Sequence, residues 1–92
     1  MLKLEFTSQF KRDYKLALKR GCAPKRLEEV VGILQAEKPL PEKFRDHELS
    51  NSRNYKELRE CHIEPVWLLV YKVYRDTLIL KLIRTGSHSD LF

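Results

Sequence analysis

The stretch from Tyr55 to Phe92 constrains this chain most. It reads YKELRECHIEPVWLLVYKVYRDTLILKLIRTGSHSDLF and contains three strand-like runs in close succession. Tyr55–His62 alternates, Val66–Val73 is almost continuously apolar, and Thr77–Ile83 is rich in Leu and Ile. Tyr74-Arg75-Asp76 is short enough to turn a hairpin between the last two runs, although no Gly marks it. On this reading His62 and Glu64 lie in the link between the first two strands. Arg84 and His88 follow the third, and Phe92 ends the chain. A three-stranded antiparallel segment would gather these groups at one side of a sheet.

The first half of the chain prepares a cover for that sheet. Leu2-Lys3-Leu4-Glu5-Phe6 alternates with period two and predicts a strand. Thr7 or Ser8 suits an N-cap, after which Phe10, Tyr14, Ala17 and Leu18 recur at helical spacing. Lys11, Lys15 and Lys19 form a neighbouring row on the same helix, which Gly21 ends. Pro24 opens a second helix whose Leu27, Val30, Val31 and Leu34 make one stripe, predicted to finish near Lys38 before Pro39. Gly32 weakens that helix and would suit close packing against a neighbour. Pro39 to Arg53 reads as a long connection carrying Asp46 and His47, and Asn51-Ser52-Arg53-Asn54 marks the turn into the sheet. The fold class is α+β: a strand, two helices, then three strands, with the helices over one face.

Ninety-two residues give one domain, 1–92, with room for a single core. No apolar run approaches the roughly 20 residues of a membrane span, and no secretory signal opens the chain. Cys22 and Cys61 suggest neither a disulfide framework nor a zinc site, which points to a reducing cytosol and a cytoplasmic protein. Of the net charge of +5, residues 1–20 carry +4. A basic surface of this kind favours a polyanionic partner, although a short charge run also serves as a solvated face.

The polar residues match one chemistry in particular. Metal-free RNA cleavage needs a base for the 2′-hydroxyl, an acid for the leaving 5′-oxygen and a cation for the charged phosphorane. His47, His62 and His88 suit the first two roles, Arg84 the third, and Glu64 is a further base or orienting group. Phe92 and Trp67 are candidates for stacking on a base. The ordinary readings stand beside these: a loop histidine is usually solvated, Trp67 in an apolar strand fits a core, and Arg84 could pair with Asp90 or Glu64. No Cys-x-x-Cys or His-Glu-x-x-His spacing supports a metal site, and no P-loop or dinucleotide fingerprint is present, so no cofactor is expected.

Arg-Glu-Cys-His-Ile-Glu-Pro (59–65), Trp-Leu-Leu-Val-Tyr (67–71), Arg-Thr-Gly-Ser-His-Ser-Asp-Leu-Phe (84–92) and Asp-His-Glu-Leu (46–49) together resemble the YafQ branch of the RelE toxin superfamily. The resemblance spans nearly the whole chain. It implies a RelE-like fold in which the first strand joins the same sheet. It also implies a toxin of a type II toxin–antitoxin system that cuts mRNA in the ribosomal A site. The implied partners are a cognate antitoxin, the ribosome and mRNA, with operator DNA met only through the antitoxin complex.

Carried over by position, His47, His62, His88 and Phe92 match active-site positions, Arg84 matches the Arg that precedes the Thr-Gly, and Trp67 matches as well; on the leading reading the basic first helix, with its lysine row, would contact ribosomal RNA. The chain departs from the branch at Pro65-Val66, where relatives commonly place Asp after the Pro. Glu64 is the residue placed to compensate. Two alternatives follow from that departure: a catalytically weak toxin-fold protein that mainly binds antitoxin, and an RNA-binding domain without turnover.

Overall fold

A computed structural model describes residues 1–49 and 58–91. In chain order these form β1 (Lys3–Phe6), α1 (Ser8–Lys19), α2 (Pro24–Gln35), a 3-10 turn (Glu42–Phe44), β2 (His47–Glu48), β3 (Arg59–Glu64), β4 (Trp67–Tyr74), β5 (Ile79–Gly86) and α3 (His88–Leu91). The strands make one five-stranded sheet in the order β1-β5-β4-β3-β2. β1 runs parallel to β5, and the other neighbours are antiparallel. The expected α+β architecture is present, and the first strand does join the sheet. The long connection after α2 contributes an extra short strand, β2, which the alternation of two residues is too brief to announce.

Helix α1 starts where Thr7 caps it: the Thr7 hydroxyl accepts from the Phe10 N–H at 2.9 Å and donates to the Ile83 carbonyl at 2.7 Å. One side chain thus caps the helix and fastens it to β5. The helix ends in a Schellman motif, with Cys22 N–H to the Ala17 carbonyl, Gly21 N–H to the Leu18 carbonyl, and Gly21 at φ +89°. Phe10 and Ala17 are buried, but Leu18 is 40% exposed, so the apolar stripe is narrower than its spacing predicts. Helix α2 buries Leu27, Val30, Val31 and Leu34 as expected. It stops at Gln35, short of Lys38, because Glu37 takes a left-handed φ of 58° and closes a second Schellman motif through bonds to the Leu34 and Ile33 carbonyls. Gly32 is not a packing contact. A Cβ there would meet nothing within 4 Å.

β4 is apolar from Trp67 to Tyr71 because that stretch lies mid-sheet and is buried on both sides. Leu69 and Tyr71 join the main core with Phe10, Val30 and Leu82. Leu68 and Val70 form a second, smaller cluster with Leu91, flanked by Leu49, Leu58 and Ile83. Both sets are essentially sealed, so truncating Leu69 to Ala would cost about 2–5 kcal/mol.

The strand boundaries move relative to the sequence runs. Pro65 and Val66 alone make the β3–β4 turn, so pairing continues to Glu64↔Trp67 across an irregularity after His62. His62 and Glu64 therefore lie within β3 and not in a link. Arg84 lies within β5 and does not follow it. The β4–β5 turn spans residues 75–78 and manages without Gly because Leu78 adopts φ 57°. The predicted turn at Asn51–Asn54, the start of the first run at Tyr55, and Phe92 lie outside the described residues.

Candidate active site

The sheet register assembles the site. Across β2, β3, β4 and β5, His47 lies opposite Glu60, Glu60 opposite Val70, and Val70 opposite Arg84. One row along, His62 lies opposite Leu68 and Leu68 opposite Gly86, which leads into Ser87 and His88. Residues 47, 62, 84 and 88, scattered through half the chain, thus share one end of the sheet.

Glu60 organises the β2–β3 edge. Its side chain is 6% exposed, and Oε1 lies 3.6 Å from His47 Nε2 and 3.7 Å from His62 Nε2. The far side of each ring is also held: His47 Nδ1 is 2.8 Å from the Arg45 carbonyl and His62 Nδ1 is 3.3 Å from the Pro65 carbonyl. A carbonyl oxygen only accepts, so each Nδ1 carries its hydrogen, and each Nε2 is left to take or release a proton beside Glu60.

The residue before His47 is fixed as firmly. Asp46 accepts from Arg59 Nε at 3.2 Å, from Arg59 Nη2 at 3.0 Å, and from the Tyr71 hydroxyl. Burial, with Asp46 beside it, pushes the Tyr71 hydroxyl above its ordinary range, so it remains a donor. Tyr71 is itself a core residue, and the two-residue strand β2 is thereby tied to the middle of the sheet.

At the other side of the site Arg84 is held by a residue that sequence reasoning did not propose. Arg84 Nε and Nη2 donate to Asp13 Oδ2 and Oδ1 at 3.0 and 3.1 Å, a two-point ion pair with helix α1. The expected partners, Asp90 and Glu64, are not bonded to it in the described geometry; Asp90 pairs with Arg20 at 2.7 Å instead. Burial raises the Asp13 carboxyl, but bonds from Arg84, Gln9 and the Thr85 N–H outweigh it and hold the group below its ordinary value.

Trp67 is 2% exposed and donates through Nε1 to the Thr85 hydroxyl at 2.7 Å, while that hydroxyl donates to the Leu68 carbonyl. A sealed indole offers no face to a base, so Trp67 supports the site from within the core and does not stack on substrate.

His88 begins α3, and a reciprocal cap sets its position. The Ser87 hydroxyl accepts from the Asp90 N–H at 3.3 Å, and Asp90 Oδ2 accepts from the Ser87 N–H at 2.9 Å. Ser-His-Ser-Asp (87–90) was a legible capping-box signal for this turn. Gly86, at φ +155°, leaves room for Asp90, whose Oδ2 and Cβ would lie 3.0 and 3.1 Å from any Cβ there.

Two cavities border the site. One, of about 470 Å³, runs between the end of α1 and the sheet and includes Asp13, Arg20, Val66, Arg84 and Asp90. The other, of about 430 Å³, is lined by Arg26, Lys43, Arg45 and His62 among others. Glu64 lines both. Val66 is 78% exposed at the turn, so it contributes little to the core. Lys11, Lys15 and Lys19 are exposed along α1.

Glu60 and Asp13 are the residues the sequence reading passed over. For Glu60 a signal existed, since i, i+2 spacing in a strand puts it on the same side as His62. For Asp13, 71 positions from Arg84, none did. Among the described residues, no group of three or more His, Cys, Asp and Glu side chains is placed to hold a metal ion, and no helix is long and apolar enough to cross a membrane.

Comparison with known proteins places these features in a family. A model of the YafQ bacterial toxins of type II toxin–antitoxin systems matches residues 2–92. The mRNA interferase toxin YafQ of Escherichia coli BL21(DE3) is 38% identical over 90 residues, covering 97% of this chain and 94% of its own. Among solved structures, a metal-bound toxin from Helicobacter pylori superposes with a TM-score of 0.91 at 43% identity over the full length of both chains. The toxin in the E. coli DinJ–YafQ complex superposes with a TM-score of 0.86 at 36% identity, covering 100% of this chain and 99% of that one.

Proposed function

The chain belongs to the YafQ family of bacterial type II toxin–antitoxin toxins, and from that premise we propose that it is a ribosome-dependent mRNA endoribonuclease working by acid–base chemistry without a metal ion. The observation that carries this reading is the register that brings His47, His62, Arg84 and the His88 turn to one end of the sheet. The mRNA interferase named among its relatives supports the substrate class.

In this mechanism one imidazole Nε2 accepts the 2′-hydroxyl proton and a second imidazole protonates the leaving 5′-oxygen. Arg84 meets the charge that develops on the phosphorane. Glu60 keeps the His47 and His62 rings in place, and Glu64 supplies a carboxylate where Val66 cannot. Phe92 stacks on a base, and the exposed lysine row of α1 meets ribosomal RNA.

The reading includes a cognate antitoxin, supported by the DinJ–YafQ complex of a relative. An acidic, partly disordered antitoxin segment folding over the site would match the basic chain, act in the cytoplasm, and bring operator DNA only through the complex. One observation favours the catalytically weak alternative: Asp13 already grips Arg84 at two points. Inducing the chain in cells and mapping mRNA 5′ ends, with and without the neighbouring reading frame, separates the two. Discrete new ends that vanish on co-expression support the nuclease. Inhibitor-independent or absent ends favour the weak toxin. Cleavage by the purified chain that persists in a chelator supports the metal-free step.

A further inference from the structure

The second cavity opens onto His62 and Glu64, and its cations have no role in the chemistry above. Its cations come from separate elements: Arg26 from α2, and Lys43 and Arg45 from the 3-10 turn and the residue that closes it. All three are exposed. They differ from four other arginines of the chain. Arg20, Arg59, Arg75 and Arg84 each pair with a carboxylate, whereas no ion pair with a described carboxylate engages Arg26, Lys43 or Arg45. Among the described residues the only acidic one in the lining is Glu64.

The cleft is also built and not a chance cluster. Phe44, 5% exposed, anchors the 3-10 turn in the core, and the Lys43 ammonium lies 5.0 Å from the centre of its ring. Arg45 takes a left-handed φ of 49°, and its carbonyl is the one that holds His47 Nδ1. The backbone that presents the Arg45 cation thus also sets a proposed catalytic ring.

We propose that the cleft of Arg26, Lys43 and Arg45 is the track for the phosphate backbone of the RNA strand, delivering it to the His47–Glu60–His62 edge. Exposed cations with no ion pair to a described carboxylate, beside a histidine proposed to transfer protons, suit a phosphodiester chain, which supplies a negative charge at every step. An acidic antitoxin segment would meet the same charges, but it has no need of a channel that ends at His62. The inference rests on the endoribonuclease reading for its substrate class.

Its test reads binding without turnover, so a catalytically silent chain still answers it. The triple variant Arg26→Gln, Lys43→Gln, Arg45→Gln is compared with Lys3→Gln, Lys38→Gln, Arg75→Gln, which removes equal charge at exposed sites outside this cleft. Affinity for a fluorescent single-stranded RNA of about eight nucleotides is followed from about 50 to 200 mM salt. The cleft variant, melting like the parent, is expected to lose tenfold or more in affinity at low salt. Its salt slope should become shallower by about 2, at about 0.7 per lost phosphate contact. The control should keep the parent's slope. Equal losses in both variants, no loss in the cleft variant, or no RNA binding by the parent at about 50 mM salt would each overturn the proposal. So would an effect confined to capture of an acidic peptide, which would give the cleft to a protein partner.

Discussion

The two sides of the site are held by different means. At the β2–β3 edge, two rings hang on backbone carbonyls and share one buried carboxylate at 3.6–3.7 Å, beyond hydrogen-bond length. At the β5 corner, Arg84 is bonded twice to Asp13, and the same carboxylate takes the Thr85 N–H, whose hydroxyl is bonded to Trp67 and Leu68. In the proposed mechanism the edge serves proton exchange and the corner serves position. A proton-transfer group must change state during a turnover, whereas a charge stabiliser works best if it does not move.

That contrast can be broken most severely at the α3 turn. His88→Ala is expected to lower ribosome-dependent cleavage 100-fold or more, within the ~10²–10⁴ of an acid–base group, with little effect on folding. Cleavage at the parent rate by the purified variant would remove His88 from the mechanism. The corner should fail in the opposite manner. Asp13→Asn keeps the shape but removes the charge under Arg84, a loss of about 2 kcal/mol for hydrogen bonds to charged groups. For a chain of this size that is a fall of about 10 °C in Tm, accompanied by slower cleavage. A variant that loses cleavage and keeps its Tm would mean that the corner is not an anchor.

Between the two regions stands Glu64. Glu64→Gln is expected to cost at least tenfold in cleavage, a barrier change of roughly 1.4 kcal/mol, and Val66→Asp to restore part of it. With Val66 78% exposed, Val66→Asp should leave the melting temperature within about 3 °C, as is usual for surface substitutions. Parent-like cleavage by Glu64→Gln would leave the histidines and Arg84 to suffice alone.

The smallest effect concerns acid. The Ser87 N–H, the Arg20 guanidinium and the Ser87 hydroxyl hold the Asp90 carboxyl down at about 2, below its ordinary 3.8. Asp13 is also depressed. A carboxyl lowered in the folded state contributes stability that is full above its unfolded value and disappears as pH falls through its folded value. Stability should therefore decline between pH 3.8 and about 2, and Asp90→Asn should flatten that decline in melts across the range. An identical slope in the variant would show that Asp90 adds nothing there.

Much of the fold was legible. The periods of α1 and α2 and the three C-terminal runs fixed the elements, since 3.6- and 2-residue repeats survive without knowledge of neighbours. Boundaries were less so. Gln35 ends α2 because of a left-handed Glu37, and Leu78 turns a hairpin with no Gly, left-handed conformations that neither residue type announces. The candidate site was legible by residue type but not by partner. His47, His62, Arg84 and His88 stood out chemically, whereas Asp13 sits in a lysine-rich helix and becomes a site residue only because α1 packs on β5. Trp67 misled because an aromatic suited to stacking is also the largest available core filler.

The claim that proton transfer belongs to an edge organised by Glu60 is tested most directly by single-turnover cleavage of mRNA on programmed ribosomes with Glu60→Gln. That substitution keeps the side chain's shape between the two rings and removes its charge. The prediction is a rate at least tenfold lower, about 1.4 kcal/mol in the barrier, with Asp13 and Arg84 untouched and the fold intact by circular dichroism. A Glu60→Gln chain that folds and cleaves at the parent rate would contradict it.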